Sequence, residues 1–423
     1  MMGVLIFVSF AILLILTVPI GIALGLSAVI ALLIDGSIPV EFIIKELTTS
    51  TNSFPLLAIP FFILAGEIMG KGGISIRLIA VAEALVGSVT GGLALTAIVT
   101  CMFFAAISGS GPATVAAVGS LMIPAMVKKG YDIKFSTAVV ASAGSIGVII
   151  PPSIPMVMYG VSGSVSIGDM FMAGIIPGIL VGFGLMAYAY YYSKKAGYKG
   201  STEKISFKRI VRQVWLAKWS LLIPVIILGG IYGGIFTPTE AAAIAVFVGF
   251  VIGAFVYREL KFKDISSIFI DSSLMTATIL IIVGSATGFG KLLAMEQVPI
   301  KIANYMLSLS SEPFVIILLI IGLLLIVGCF MDTIAAIIIL TPILLPIGTA
   351  VGFDPVHFGI IMIITLAIGF ITPPVGVNLF VGSSISGVSM ESLSKAIIPF
   401  ILAMIFVLLI VSFIPGLSLV FLD

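Results

Sequence analysis

The chain is 423 residues long, 61% hydrophobic and only 9% charged, with a formal net charge of +2. Average soluble domains carry about 25% charged residues, and a mean hydropathy of +1.35 excludes a fold with a water-facing surface. The composition therefore predicts an all-α, polytopic membrane protein in contact with lipid, and no nucleic-acid partner is expected. The two cysteines, Cys101 and Cys329, lie in apolar runs without metal-ligating neighbours, so we expect them to be buried.

Apolar segments and charged loops divide the chain into five predicted parts. Residues 3–34 form one long apolar stretch, and the amphipathic residues 35–51 are expected to lie along the membrane interface. Residues 193–218 are the most basic stretch, which places them in the cytoplasm by the positive-inside rule. The predicted parts are a first scaffold span with its interfacial arm (1–54), a first repeat core (55–192), a basic cytoplasmic linker (193–218), scaffold spans with an arm (219–266) and a second repeat core (267–423).

A polar interruption from Ser108 to Thr114 separates two apolar runs within residues 93–127. Each run is shorter than the roughly 20 residues that a straight transmembrane helix needs. The pattern therefore predicts a re-entrant helical hairpin whose Gly-, Ser- and Pro-rich tip lies within the membrane. Backbone groups at that depth are tolerated only where protein or a water-filled cavity surrounds them, so we expect the tip to line a cavity for substrate and ions.

Motifs of the first half recur in the second half at a nearly constant spacing. The paired prolines Pro151-Pro152 and Pro373-Pro374 stand 222 residues apart (373 − 151). The repeat predicts a second hairpin at 313–347, with its tip at Met331-Asp332-Thr333. Lysines follow the exit of the first hairpin but not that of the second, which indicates inverted repeats with opposite orientations in the membrane.

Each half then supplies a hairpin tip and a helix broken by two prolines. A proline removes a backbone donor and leaves carbonyl oxygens unpaired; such oxygens suit Na⁺, whereas half-helix N-termini suit a carboxylate. A kink used only for helix packing is the competing interpretation. We predict at least two Na⁺ sites, the first formed by Ser108, Ser110, Gly144, Gly147 and Pro152, and the second by Asp332, Thr333, Thr372 and Gly376. The candidate substrate-binding residues are Ser108, Ser110, Ser153, Asp332 and Asn378.

Several polar residues also have a structural interpretation. Asp332 is the one carboxylate at a predicted hairpin tip, where ionisable groups are usually functional, but it is also placed to cap the second arm. Asn378 follows the second break and either reaches the substrate or holds the break together. Glu240 completes a predicted capping box at the start of a helix. Asp132 and Asp354 are expected to cap the helices that follow them.

Two other classes of protein are less consistent with these features. An intramembrane serine hydrolase needs a base near Ser108 or Ser110, and His357, the only histidine, is distant in the sequence. Channels also contain re-entrant hairpins, but they usually form a pore by assembling copies of one simple repeat. An inverted repeat with two broken helices is typical of secondary transporters, so we expect a transporter and not an enzyme.

The same motifs resemble the large membrane subunit of tripartite ATP-independent periplasmic (TRAP) transporters, over nearly the whole chain. The matching stretches are residues 59–66, 109–114, 149–153, 237–241 and 372–378. The resemblance implies Na⁺-driven uptake of an organic acid, such as a C4-dicarboxylate or sialic acid, across the bacterial inner membrane. No motif specifies which acid is carried.

The resemblance further implies two partner proteins. A soluble periplasmic binding protein would deliver the acid, and a small four-helix membrane subunit would join this chain. The family is thought to work as an elevator, which for this sequence gives a moving part of 55–177 plus 267–399 and a scaffold formed by the rest. The alternative is a stand-alone Na⁺/carboxylate symporter of a related family.

Overall fold

The computed structural model describes residues 2–36, 38–201, 206–309 and 312–422. Within these ranges the secondary structure is helical, without a strand. Among the described residues, seven helices are long and apolar enough to cross a membrane, or eight if one bent pair forms a single span. The protein is therefore an all-α, multi-pass membrane protein. Residue 37 of the predicted arm and residues 202–205 of the predicted linker lie outside the described ranges.

The N-terminal part turns back on itself where the sequence predicts one long stretch over 3–34. The chain turns at Thr17, which has a positive φ of 60°, and Pro19 precedes the next helix. Since proline disrupts a helix interior but is tolerated at a helix start, two helices that lie side by side replace the single predicted stretch. The helices of this part are α1 (Met2–Ile15), α2 (Ile20–Asp35) and α3 (Glu41–Thr51).

The first repeat contains a hairpin, a broken helix and one long helix. Its helices are α4 (Ala58–Lys71), α5 (Ile74–Val86), α6 (Gly92–Ser108), α7 (Gly111–Lys128), α8 (Ile133–Gly144), α9 (Ile154–Gly163) and α10 (Ile167–Ala196). Short 3₁₀ turns lie at Phe54–Leu57 and Ser145–Val148. α6 and α7 form the first hairpin, and α8 and α9 are the two parts of the first broken helix.

Five helices connect this repeat to the second hairpin. They are α11 (Phe207–Leu216), α12 (Lys218–Tyr232), α13 (Pro238–Val251), α14 (Phe262–Met295) and α15 (Val298–Leu309). α13 ends in a π-helical turn at Ile252–Val256. α11 and α12 meet at an angle of 71° and form the bent pair. α14, with 34 residues, is long enough to cross the membrane completely.

The second repeat has the same order of elements as the first. Its helices are α16 (Pro313–Gly328), α17 (Thr333–Ala350), α18 (Pro355–Gly369), α19 (Val377–Ser386), α20 (Met390–Phe413) and α21 (Gly416–Leu419). α16 and α17 form the second hairpin, α18 and α19 the second broken helix, and α20 corresponds to α10. A cis peptide bond joins the two prolines at both breaks. The opposite orientation of the two repeats stays a prediction.

Each broken helix extends to the hairpin of the other repeat. α9 packs against α17, and α19 packs against α7 and α8. Small residues allow this approach, since a Cβ atom on Gly382 of α19 would lie 3.0 Å from Thr137 Cγ2 and 3.7 Å from the Cβ atom of Ala141. Close contact through small residues is how membrane helices associate. The two repeats therefore share one core.

α14 is attached to the N-terminal helices and not only to the core. It packs along α2 and α3. A Cβ atom on Gly21 would lie 3.1 Å from Ile282 Cγ1, and one on Gly284 would lie 3.0 Å from Leu47 Cγ. Glycines on both sides of this interface thus bring α14 close to α2 and α3.

The predicted helix caps are confirmed. Asp132 accepts a hydrogen bond from the Phe135 N–H at 2.9 Å, and Asp354 accepts one from the Val356 N–H at 2.8 Å. Glu240 forms the predicted capping box at the start of α13 with Thr237. These carboxylates use their oxygens to complete helix ends, so the structure gives them a structural role.

Candidate functional site

A cavity of about 480 Å³ lies where the two hairpin tips meet. The first tip contributes residues 109–112, and the second contributes Asp332 and Ile334. Residues beside both helix breaks, among them Ile154 and Phe370, form further parts of the wall. The remaining side belongs to α14, with Leu274, Met275, Thr278, Ile279 and Ile282. This cavity is the candidate site for substrate and ions.

Three helix N-termini and one carboxylate determine the charge of this cavity. α7, α9 and α17 all begin at its wall. The unpaired N–H groups of a first helical turn carry about half a positive charge, which favours an anion. Asp332 is the only charged side chain among the lining residues. The cavity can therefore receive an acid group and a cation together without a lysine or arginine in its wall.

Hydroxyl groups hold the first tip in shape. Ser108 Oγ and Thr114 Oγ1 share a hydrogen bond of 2.9 Å, and Thr114 Oγ1 donates to the Ser110 carbonyl oxygen at 2.7 Å. Ser110 Oγ accepts from the Ala113 N–H at 3.5 Å and so caps α7. Ser110 lines the cavity, whereas Ser108 lies behind the tip and is only 2% exposed. The structure thus brings both predicted serines together, with one at the cavity wall.

The backbone of the first break touches this tip. A Cβ atom on Gly147 would lie 2.6 Å from the Ser110 carbonyl oxygen, and one on Gly109 would lie 2.9 Å from the Pro152 carbonyl oxygen. The Ile154 N–H donates to the Gly109 carbonyl oxygen at 3.3 Å. A residue with a Cβ atom does not fit at either position. The two glycines therefore allow the backbones of the tip and the break to come this close. Carbonyl oxygens of tip and break converge here, and they are the donors that unwound transporter helices offer to Na⁺.

Ser153 joins the two sides of the first break and is absent from the cavity wall. Its hydroxyl donates to the Val148 carbonyl oxygen at 2.6 Å and accepts from the Met156 N–H at 3.4 Å. The residue is fully buried. These bonds connect the last turn before the break to the first turn of α9. Contact between Ser153 and a substrate stays a prediction.

The residues predicted for the second Na⁺ site use their polar groups locally. Asp332 accepts from the Ile334 N–H at 2.9 Å and caps α17. It also lines the cavity, so its structural and functional interpretations are compatible. Thr372 Oγ1 donates back to the carbonyl oxygen of Ile368, in the last turn of α18, at 2.7 Å.

The second tip meets its own break at a different point from the predicted one. Among the described residues, no hydrogen bond joins Asp332 or Thr333 to Thr372 or Gly376. The close approach is between two glycines, since a Cβ atom on Gly369 would lie 2.5 Å from the Gly328 carbonyl oxygen. The structure therefore groups the first predicted Na⁺ set more tightly than the second, and ion binding at both stays a prediction.

The side chain of Asn378 binds the first repeat, although α19 belongs to the second. Its Nδ2 donates to the Ala141 carbonyl oxygen at 3.1 Å and to Ser145 Oγ at 3.2 Å. Its Oδ1 is buried and has no hydrogen-bond partner in the part of the chain that the structure describes. Cβ atoms on Gly111 and Gly144 would lie 3.3 and 3.4 Å from this amide group. The contact holds the two repeats together beside the first tip, and a substrate contact stays a prediction.

Sequence reasoning missed the wall that α14 provides. Its lining residues are apolar apart from Thr278, whose hydroxyl bonds to its own helix at the Leu274 carbonyl oxygen. Such a face cannot be distinguished from a lipid-facing one by sequence. The missed residue Thr114 did carry a signal, because it lies within the polar interruption and one helical turn after Ser110.

The architecture defines a class of protein before any comparison is made. Two hairpin tips and two broken helices meet at one cavity inside a multi-pass helical protein, which is the arrangement of a secondary transporter. A family model described as the tripartite ATP-independent periplasmic transporter, DctM component, matches residues 7–417. The chain belongs to this family, as its sequence motifs predict, and is a TRAP transporter large permease.

Individual relatives agree with this assignment. The chain is 54% identical over 412 residues to the isethionate TRAP transporter permease protein DctMQ of Oleidesulfovibrio alaskensis, an alignment covering 97% of this chain and 65% of that relative. It is 41% identical over 403 residues to the C4-dicarboxylate TRAP transporter large permease protein DctM of Pseudomonas aeruginosa, covering 94% and 93% of the two chains. The crystal structure of the Alcanivorax borkumensis YdaH transporter has a similar fold, with a TM-score of 0.65, 16% identity and coverage of 88% and 87%.

Proposed function

We propose that this chain carries a small organic acid across the bacterial inner membrane, and that the free energy of a Na⁺ gradient drives this uptake. The observation that supports this proposal is the cavity between the two tips, where three helix N-termini, carbonyl oxygens and one carboxylate meet. An acid group is favoured at the N-termini, and Na⁺ is favoured at the oxygens. Both would be carried together, because each neutralises the other in a setting of low dielectric constant.

The first Na⁺ site is proposed at the first tip and break. Ser110 and Pro152 supply carbonyl oxygens there, Gly144 and Gly147 allow the backbones to approach, and the Ser108 hydroxyl lies next to them. No acidic side chain is required, since Na⁺ binds carbonyl and hydroxyl oxygens.

The second Na⁺ site is proposed at the second tip. Asp332 provides the charge, and Thr333, Thr372 and Gly376 lie on the adjoining tip and break. Because these groups are not yet joined by hydrogen bonds, we propose that the ion itself draws them together. Ser110 at the cavity wall and the Na⁺ held by Asp332 are then the proposed first contacts of the substrate, with Ser108, Ser153 and Asn378 supporting the tips from behind.

The substrate is proposed to be a small organic anion. The relative with 54% identity is named for isethionate, and the relative with 41% identity is named for C4-dicarboxylates. Both names describe small acids, which fit a cavity of about 480 Å³. Isethionate is therefore the first candidate, followed by succinate, with sialic acid as the larger member of the test panel.

Two partners are proposed, a periplasmic binding protein and a small membrane subunit. A carboxylate held by helix N-termini gains about 0.3–1 kcal/mol per helix, up to ~2 when partly buried. Micromolar affinity requires roughly 8 kcal/mol, so the cavity by itself binds its substrate weakly. A tight-binding soluble protein that docks on the outer face would overcome this weakness by raising the local substrate concentration.

Elevator movement is proposed, with a change in the moving part. The sequence-based division assigns residues 267–290, now part of α14, to the moving part, but α14 packs along α2 and α3. We therefore propose that the two hairpins, the two broken helices, α10 and α20 move together. α1 to α5 and α11 to α15 would form the support. This also transfers α4, α5 and α15 from the moving part of the sequence-based division, since α4 packs against α13, α5 packs against α11 and α15 directly follows α14.

The test is uptake of labelled acids into proteoliposomes under an inward Na⁺ gradient. The chain would be reconstituted alone, with the small subunit, and with both the small subunit and candidate binding proteins. We expect uptake of one acid of the panel only in the complete system. Robust uptake of free acid by this chain alone would contradict the tripartite proposal and favour the stand-alone symporter, and no uptake of any organic acid would contradict both.

A further inference from the structure

A second cavity of about 340 Å³ lies beyond the first along α14. Its wall is formed by α14, by the end of α3, and by α9 and α17 of the two repeats. It therefore lies between the proposed support and the proposed moving part. We refer to it as the outer cavity, and none of the features predicted from the sequence falls within it.

One face of α14 connects the two cavities. The residues that line the first cavity and those that line the outer cavity follow one another at intervals of four, along two adjacent ridges of the helix. One ridge contains Leu274, Thr278, Ile282, Ala286, Gly290 and Ala294, and the other contains Met275, Ile279, Val283, Thr287 and Lys291. This face extends over about 30 Å at 1.5 Å per residue. Small and apolar side chains dominate it, and its one charged group is Lys291 at the far end.

Lys291 is partly neutralised by one carboxylate. Its ammonium group pairs with Glu46 of α3, and the Lys291 side chain is 53% exposed while that of Glu46 is 10% exposed. Ser50, one turn after Glu46, also lines the outer cavity, and its buried hydroxyl has no hydrogen-bond partner in the described chain. The outer cavity thus contains the Lys291 ammonium, which an incoming acid can reach, and the Ser50 hydroxyl, which can donate a hydrogen bond to that acid.

Charge and helix order place the outer cavity on the outer side of the membrane. The basic segment after α10 is cytoplasmic by the positive-inside rule. α11 lies within this basic segment, and α12, α13 and α14 then cross the membrane in turn. The C-terminal end of α14, which contains Lys291, is therefore on the side opposite the basic segment. That side is where a substrate would enter during uptake.

We propose that Lys291 is an entry site for the organic acid, which then passes along this face of α14 to the first cavity. The acid group joins Glu46 as a second partner on the exposed side of the Lys291 ammonium and accepts a hydrogen bond from the Ser50 hydroxyl. Because Glu46 stays at the ammonium and already neutralises part of its charge, the acid is held only transiently and the pair is intact after each passage. This inference rests on the proposed function for its direction, but its binding chemistry can be tested without transport.

The direct test measures the charge preference of the outer cavity. A cysteine is placed at Thr287, one turn before Lys291 on the same ridge, after Cys101 and Cys329 have been replaced by alanine. Its rates of reaction with the anionic sulfonatoethyl methanethiosulfonate and the cationic trimethylammonioethyl methanethiosulfonate are compared, each relative to a free thiol. The sulfonate reagent serves as the organic-anion probe, and no transport activity is required.

The anionic preference is expected to be greatest with Glu46→Gln, intermediate in the parent and smallest with Lys291→Met. Two unit charges about 4 Å apart interact by about 1 kcal/mol even in water, so we expect the rate of each reagent to change roughly fivefold for each charge that is removed. Since Lys291→Met leaves Glu46 buried without a partner, the double variant Glu46→Gln with Lys291→Met provides the uncharged reference. Equal ratios in all four proteins would overturn the proposal, whether or not the chain transports any acid.

An uptake measurement provides the second arm. In the complete reconstituted system, Lys291→Met is expected to raise the KM for the acid roughly tenfold, as expected from loss of a hydrogen bond to a charged group, and Lys291→Arg is expected to retain most of the affinity. Lys45→Met, on the exposed face of α3 next to Glu46, is the matched control and should leave KM unchanged. A KM unaffected by Lys291→Met would contradict an entry role, whereas absence of uptake in the parent would contradict the proposed function instead.

Discussion

At the scale of one residue, a substitution at Gly147 tests the proposed Na⁺ site at the first tip. Its missing Cβ atom would lie 2.6 Å from both the Ser110 carbonyl oxygen and Thr114 Oγ1. Gly147→Ala forces the tip away from the break, and overpacking of this kind costs about 1–3 kcal/mol. We therefore expect uptake to fall roughly tenfold and half-maximal uptake to require more Na⁺.

The matched substitution is Gly229→Ala in α12, where an added Cβ atom meets nothing within 4 Å. Because alanine favours a helix more than glycine does, this variant should transport like the parent and be no less stable. Unchanged Na⁺ dependence in Gly147→Ala would contradict a cation site at the first tip.

A substitution at Asn378 tests whether its contact between the two repeats stabilises the protein. Asn378→Ala removes one hydrogen bond to α8 and one to the 3₁₀ turn that follows it, each worth about 0.5–1.5 kcal/mol. We expect a lower thermal unfolding temperature in detergent, with a loss of about 1–3 kcal/mol of stability. Asn52→Ala, at an exposed position after α3, should leave the unfolding temperature unchanged. Equal unfolding temperatures for both variants would mean that the amide contact does not stabilise the core.

At the scale of elements, a disulfide between α2 and α14 tests whether they form one support. A Cβ atom on Gly25 would lie 3.7 Å from the Ser285 Cβ atom, which suits a disulfide. With Cys101 and Cys329 replaced by alanine, Gly25→Cys with Ser285→Cys should cross-link and still transport. Loss of uptake on oxidation, restored by reduction, would place α14 in the moving part, as the sequence-based division has it.

A second pair of positions measures movement of the first hairpin. A Cβ atom on Gly66 of α4 would lie 3.8 Å from the Ser108 Cβ atom, and the proposed elevator separates these two elements. In the same cysteine-free background, and with Na⁺-dependent uptake by the Ser108→Cys single variant as a prior control, the cross-linking yield of Gly66→Cys with Ser108→Cys should change when Na⁺ and the acid are added. A yield independent of both would favour a fixed core. The Gly382→Cys and Ala141→Cys pair, within the moving part at 3.7 Å, is the control with a constant yield.

For the whole molecule, the sequence predicts those elements that glycine and proline specify locally. The two hairpins, the two broken helices and the caps at Asp132, Asp354 and Glu240 follow from residue type and spacing. The division of 3–34 into two helices was missed because the run is apolar throughout, even though Pro19 marks the turn. A proline in an apolar run is compatible with either a kink or a turn, and tertiary contacts decide between them.

Long-range contacts at the site could not be predicted. Asn378 binds Ala141 across 237 residues, and nothing in either local sequence specifies that pairing. The same holds for Lys291 and Glu46, whose types suggest only two interfacial charges until α3 and α14 are seen to pack together. Sequence therefore located the tips and breaks that line the first cavity, whereas the wall of α14 and the outer cavity required the structure.

Coupling to Na⁺ is the central claim about the whole molecule, and ion replacement tests it most directly. The complete reconstituted system would be given labelled acid under an inward Na⁺ gradient, under an equal K⁺ gradient, and under an inward proton gradient without Na⁺. We predict accumulation of the acid above its external concentration only with the Na⁺ gradient, and its collapse when a sodium ionophore is added. Accumulation that persists with K⁺ alone, or that follows the proton gradient, would contradict the claim.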